Sequence, residues 1–406
     1  MNSQPQYGSF GVRSWLSCFA NEHFRCVAAL LFCALIPTVA SAQTLTTLVN
    51  FSGSNGASPL FAKLVQGKDG NFYGTTSTAG AHGQGTVFRI TPQGVLTTLY
   101  SFCAKSGCTD GAAPYAGLIL AKDGNFYGTT EAGGSRSSGT VFKTTPQGKL
   151  TTLHTFTFND GAYPYAALVQ AGNGSFYGTT ESGGANLLGT VFKMTPQGVL
   201  TTLHSFNSTD GASPESPLIQ ATDGRLYGTT YNGGQQGYGT IFRMTPAGTL
   251  TTLHIFSDET EGRAITSGLV QSRNGIFYGS TTLGGPNGYG AVFSMTPSGS
   301  VTVLHSFAAT DGATPNALVQ GSDGNFYGTT IAGGAGSNGT IFEVTPQGAF
   351  STLHTFTGSD GGDSFAGLVQ GSDGRFYGTT RVGGAQGDGT VFALDLGLGP
   401  LADAPF

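Results

Sequence analysis

The chain has 406 residues, 38% of them hydrophobic and only 10% charged, with 67 glycines. That leaves enough apolar material for a core, while glycine at this level without a three-residue period points to many tight turns and short strands. The formal net charge is −5 and no Lys/Arg cluster occurs, so the electrostatic footprint of a nucleic-acid binder is missing.

The first 42 residues read as a leader. Arg13 and Arg25 precede an apolar run from Val27 to Ala40, and Ala40-Ser41-Ala42 places small residues just before Gln43. This is the layout of a secretory signal peptide cleaved after Ala42. The apolar run is too short for a comfortable membrane span, the alternative being a retained anchor helix. The expected location is therefore outside the cytoplasm: secreted, at the cell surface or in the periplasm. No membrane span is expected in the mature chain. Cleavage would leave Cys103 and Cys108 as the only cysteines. So close a pair in an exported protein is expected to form a disulfide that pins the longest connection. A catalytic redox pair would need C-x-x-C spacing at a helix N-terminus, which this pair lacks.

From residue 43 the sequence repeats. The tyrosine of F-Y-G-T-T or its variants falls at Tyr73, Tyr127, Tyr177, Tyr227, Tyr278, Tyr327 and Tyr377, in steps of 54, 50, 50, 51, 49 and 50. A fixed period of this size marks a repeat architecture. Within one unit, Leu168-Val169-Gln170 is a short β-prone run. Asn173-Gly174 suits a tight hairpin. Phe176–Thr180 is aromatic and β-branched and reads as a second strand. A loop opens at Gly183-Gly184 and closes at Gly189, before a third strand at Val191–Met194. Thr195-Pro196-Gln197-Gly198 is a turn, proline pre-setting φ. Leu200–Phe206 alternates apolar and polar residues as a fourth strand.

Four antiparallel strands in each unit of about fifty residues predict a propeller blade, with an open solenoid as the competitor. The ends discriminate. Leu45–Phe51 is a fourth strand that precedes any complete unit, and the last unit stops at Val391–Leu394 without one. A solenoid would expose both edges, whereas a ring joins them. The expectation is an all-β, seven-bladed β-propeller over residues 43–396, closed by the N-terminal strand, followed by a short tail over 397–406.

The unit D-G-N-F-Y-G-T-T-x-x-G-G, followed by G-T-V-F-x-x-T-P-Q-G-x-L-T-T-L, resembles the bacterial GloVer repeat of choice-of-anchor tandem-repeat proteins. The resemblance covers residues 44–395. It implies an exported, surface-associated protein whose relatives typically carry a C-terminal sorting anchor. Residues 397–406 show neither an apolar helix nor a basic terminus. The double glycines and the period are also loosely kelch-like, without the tryptophan that kelch repeats use.

Strand order puts the Asp/Asn-Gly hairpins and the T-P-x-G turns on one face and the Gly-Gly loops and blade connections on the other. The first face is nearly invariant between units, so it reads as structural. On the second face the position after F-Y-G-T-T holds Glu131, Glu181, Tyr231 and Arg381 among others. The loop tips add Arg136, Asn186, Gln236 and Asn287, and two residues further along come Tyr238, Tyr289 and Asp388. Variable side chains on a rigid repeated frame are how repeat folds present binding surfaces, and neutral drift of exposed loops is the alternative.

Two recurring sets suggest metals and are better explained otherwise. Asp110, Asp160, Asp210, Asp311 and Asp360 sit in the connections, each before glycine, which is ordinary turn chemistry. His154, His204, His254, His305 and His354 occupy one place on the outermost strand of different blades, too far apart for one ion. No metal or other cofactor is therefore called for. No G-x-S-x-G elbow, H-E-x-x-H helix or nucleotide-binding glycine motif is present. The expected function is non-catalytic: a monomer that binds or scaffolds an extracellular polysaccharide or protein through the loop-rich face. The alternative is a carbohydrate-active enzyme, a hydrolase or lyase, using Glu131 and Glu181, provided their carboxyl groups stand about 5–9.5 Å apart.

Overall fold

The computed structural model describes residues 43–257 and 259–399. Residues 1–42, expected to be a leader, and the last seven residues of the tail lie outside them. Seven antiparallel sheets are formed, six of four strands and one, in the sixth blade, that gains an extra strand at Ala313–Pro315. In the second complete repeat after the cysteine loop, Val169–Gln170 pairs with Phe176–Thr180, which pairs with Thr190–Met194, which pairs with Leu200–Ser205. The other blades follow the same order. The protein is a seven-bladed β-propeller.

Ring closure is made by the first described strand. Thr44–Asn50 lies antiparallel to Thr390–Asp395, with Leu45 opposite Leu394 and Asn50 opposite Thr390. Its end continues the pattern of the other fourth strands, since Phe51 packs edge-on against Phe88 of the next blade at 5.3 Å. Nearer the axis, the Ser372 amide donates to Gln66 Oε1 at 2.9 Å, again from the last blade to the first.

The repeated letters are explained by the contacts between blades. The F-Y-G-T-T strands are buried from end to end because each blade has neighbours on both sides. The tyrosine of one blade stacks on the phenylalanine of the next: Tyr73 on Phe126 at 4.0 Å, Tyr278 on Phe326 at 3.9 Å, and Tyr377 on Phe72 at 4.0 Å across the closure. Such pairs contribute about 0.5–1.5 kcal/mol each beyond area burial. Each buried tyrosine needs a partner for its hydroxyl. In most blades it donates to the hairpin aspartate, as Tyr127 does to Asp123 at 3.0 Å and Tyr377 to Asp373 at 2.6 Å. The glycine of the motif is there for space. A Cβ on Gly178 would stand 2.6 Å from Phe192 Cζ and 2.8 Å from Leu168 Cδ2.

Candidate functional site at the axis of the loop-rich face

The two histidine and aspartate sets turn out to be one device. His154 meets Asp160 at 2.9 Å, His204 meets Asp210 at 3.0 Å, His305 meets Asp311 at 3.1 Å and His354 meets Asp360 at 2.8 Å. Glu261 replaces the aspartate opposite His254 at 3.0 Å, and Tyr100 replaces the histidine opposite Asp110 at 2.6 Å. The second carboxylate oxygen closes the turn, as Asp160 does by accepting from the Thr157 amide at 2.9 Å. Each pair therefore latches a connection to its own outer strand. Cys103 and Cys108 are bonded to each other in the connection that holds Asp110. Among the described residues no group of three or more His, Cys, Asp or Glu is arranged to hold a metal ion.

The loop-rich face has a rim and a centre. Arg136, Gln236 and Tyr289 are exposed on the rim. Asn186 and Asn287 are also at the rim, but their amides donate to the carbonyls of Phe206 at 3.0 Å and Phe307 at 3.2 Å, bracing their own loops. Tyr238 is half-buried with the Arg263 guanidinium 5.5 Å from its ring centre, and the half-buried Asp388 accepts from the Ser58 amide through its backbone carbonyl.

Inward from the rim, the residue after F-Y-G-T-T is tied by its backbone to the chain entering the axis. The amides of Glu131, Glu181, Tyr231 and Arg381 donate to the carbonyls of Ala113, Tyr163, Ser213 and Asp363. Those acceptors have φ of 51°, 56°, 50° and 50°, a left-handed conformation that non-glycine residues adopt at a cost. The same conformation recurs in the other blades, so it belongs to the frame. Its effect is to turn the following residues toward the axis.

Those following residues form the innermost layer: Phe61, Tyr115, Tyr165, Glu215, Thr266 and Phe365. Together with Lys63 and Asn316, most of them line a cavity of about 90 Å³. This layer carries little of the repeat's symmetry. Phe61 and Phe365 meet edge to face at 5.6 Å, and Tyr115 and Tyr165 tilt against each other at 5.3 Å. Arg381 pairs with Asp363 at 2.6 Å and lies over the Phe365 ring at 5.2 Å. Lys63 stands where the other blades have Gly117, Ala167, Pro217, Gly268, Ala317 and Gly367. Lys63 is exposed, yet the surrounding walls desolvate its ammonium and lower its pKa.

Glu131 and Glu181 are brought to the same sector, beside Tyr115 and Tyr165. Desolvation and then the Glu181 charge raise the Glu131 pKa, and desolvation raises that of Glu181. The more perturbed acid is Glu215, which desolvation, followed by the Glu181 charge, pushes up to about 7. Tyr165 is raised by its own desolvation and by the charges of Glu131, Glu181 and Glu215.

A propeller built of near-identical blades, with one irregular acidic and aromatic centre on its loop face, is a repeat scaffold carrying a single candidate site. Its family is settled by sequence. The Gloeobacter/Verrucomicrobia repeat matches residues 36–235, 104–282 and 218–401, and the chain belongs to that family. No curated protein matches the sequence. Among solved structures, a streptogramin B lyase is similar with a TM-score of 0.62 at 14% identity, over 87% of this chain and 97% of that one. A catalytically inactive virginiamycin B lyase from Staphylococcus aureus, with quinupristin, has a TM-score of 0.62 at 16% identity, over 87% of this chain and 99% of that one. At such identities the likeness is one of fold.

Proposed function

We propose that the protein is exported and acts as a monomeric, non-catalytic binding propeller that takes an extracellular polysaccharide at the axis of its loop-rich face. One observation carries this reading: the blades repeat their framework faithfully but differ at the innermost layer, where Phe61, Tyr165, Phe365 and the Glu215 carboxylate line a cavity and the charge of Glu181 reaches Glu215. Rings of Phe and Tyr offer flat apolar surface to the C–H face of a sugar, and carboxylates accept its hydroxyls. A disulfide in the fold accords with an oxidising compartment. The cavity is small beside the several hundred Å³ typical of enclosed ligand sites, which suits one protruding group of a long ligand. Glycan-array screening and pull-down with residues 43–406 test the reading. Binding to a glycan, weakened about tenfold or more in Tyr165→Ala, is the expected result. Silence on the array would refute it, and capture of a protein alone would move the ligand to another class.

A second reading, a carbohydrate-active enzyme, is favoured by the unequal carboxyl groups. Glu215, pushed up to about 7 by desolvation and by the charge of Glu181 beside it, supplies the raised acid that glycoside chemistry uses next to a second carboxylate. It moves the emphasis from the Glu131 and Glu181 pair to Glu181 and Glu215. Product formation from a bound glycan that disappears in Glu215→Gln would establish it, and unchanged turnover in that variant would remove it.

A further inference from the structure

The site has a polarity that narrows the ligand. Three carboxylates, Glu131, Glu181 and Glu215, lie in one sector beside Tyr115 and Tyr165, and no ion pair among the described residues reaches any of them. They do not converge as metal ligands do. Lys63 lines the same cavity from the first blade and Glu215 from the fourth, and no ion pair among the described residues joins them. Arg381, the remaining cation near the axis, is already matched by Asp363.

A separate observation concerns the sixth blade. It is one residue shorter than its neighbours between the glycine and leucine that bound the axis segment: Gly312 to Leu318, against Gly211 to Leu218. Asn316 stands in the shortened segment and lines the cavity while only 3% exposed. Its amide nitrogen donates to the Ser364 carbonyl. Its Oδ1 has no partner among the described residues and is not sealed away from the cavity. An unused acceptor in so enclosed a place is costly unless water or a ligand donates to it.

We propose that the ligand presents an ammonium group, and that the axis cavity is a site for a protonated amino sugar. The ammonium lies against Glu215 and Glu181 with the Tyr165 ring beside it, and a hydroxyl or second N–H of the same sugar donates to Asn316 Oδ1. The carboxylates of Glu181 and Glu215 and the Asn316 Oδ1 all accept hydrogen bonds, and a tyrosine face adds attraction for a cation. An anionic sugar would meet uncompensated carboxylates, and a neutral one would leave the cluster's charge unanswered. Desolvation raises all three acids, and the Glu181 charge adds to it at Glu131 and Glu215, a strain that a bound cation relieves.

This inference rests on the glycan-binding reading, and the experiment separates the two. Residues 43–406 are titrated calorimetrically with three oligosaccharides of equal length: β-1,4-linked glucosamine, its N-acetylated counterpart and the corresponding glucan. The glucosamine oligomer should bind at least tenfold tighter than either. Glu181→Gln with Glu215→Gln should abolish that preference, Asn316→Ala should weaken all binding several-fold, and Lys149→Ala, exposed beside a turn on the opposite face, should change nothing. Unaltered melting temperatures would show that the variants are folded. Equal or tighter binding of the acetylated or neutral oligomer, or a preference that survives the double variant, would overturn the amino-sugar site and leave glycan binding standing. Absence of binding to all three would overturn the amino-sugar site alone, the wider array deciding the other reading.

Discussion

At the level of single residues, the same framework letter can be tested for space and for charge. Gly178 sits under a phenylalanine ring and a leucine methyl, so Gly178→Ala must push two packed side chains apart. A loss of about 1–3 kcal/mol is expected by chemical denaturation, as for other overpacked cores. Glu215 gives a pH signature. Its folded pKa, about 7, lies above the ordinary carboxylate value, so the folded state holds a proton that the unfolded chain releases. The contribution of this group to stability is therefore fully present below the unfolded value and is lost as pH rises toward 7. Glu215→Gln should leave the melting temperature unchanged near pH 4 and raise it at pH 8, relative to the unsubstituted protein. A melt series from pH 4 to 8 would show this, and equal shifts at both ends would contradict it. The Asp160 carboxylate runs the other way. Burial acts to raise its pKa, but His154 and the Thr157 amide and hydroxyl outweigh that and hold it low. Its contribution is present above the unfolded value and fades as pH falls below about 4. Asp160→Ala should cost about 1–3 kcal/mol at neutral pH, because it strands the Thr157 amide and frees the connection.

Strands and turns were the level at which the sequence was most readable, because their signals are local. Phe176–Thr180 is β-prone by composition, Asn173-Gly174 marks a hairpin by its φ requirement, and Thr195–Gly198 a turn by its proline. The latch was readable only in halves. His154 and Asp160 are each conspicuous, but six residues separate them, and they meet only because the connection curls back over the end of its strand. The innermost layer was not read at all. Tyr165 and Glu215 precede the two-residue strands Val169–Gln170 and Ile219–Gln220, so in sequence they look like ordinary connection. A signal did exist. When the units are aligned on the leucine just before the inner strand, the residue three places earlier is Phe61, Tyr115, Tyr165, Glu215, Thr266, Pro315 or Phe365, a chemically varied column near the axis. The cysteine pair also belongs to this level. Its two members are close in sequence, so loop-closure entropy assigns the bridge only about 2 kcal/mol. Cys103→Ser with Cys108→Ser should lower stability by that amount and keep the fold, as urea titration with and without reductant would reveal.

For the whole molecule, the decisive inference was one of counting. Strands of one kind led the repeats and strands of the same kind were missing at the end, so a ring followed from the sequence before any contact was known. Its pairing of Thr44–Asn50 with Thr390–Asp395 bears out that count. Removing residues 43–51 should therefore do more harm than their number suggests. It exposes the edge at Thr390–Asp395 and uncovers Phe88, and the expected result is aggregation and loss of a single cooperative melt, measured against a chain beginning at Gln43. A truncated chain that stayed monomeric and melted in one step would show that the blades do not need the seal.

That seal also sets an order of events. Thr44–Asn50 is synthesised long before Thr390–Asp395, the strand it docks on, so the ring cannot be sealed until its last blade has been made. Until that final strand exists the circle stays ajar, and no shorter stretch of the chain can lock it.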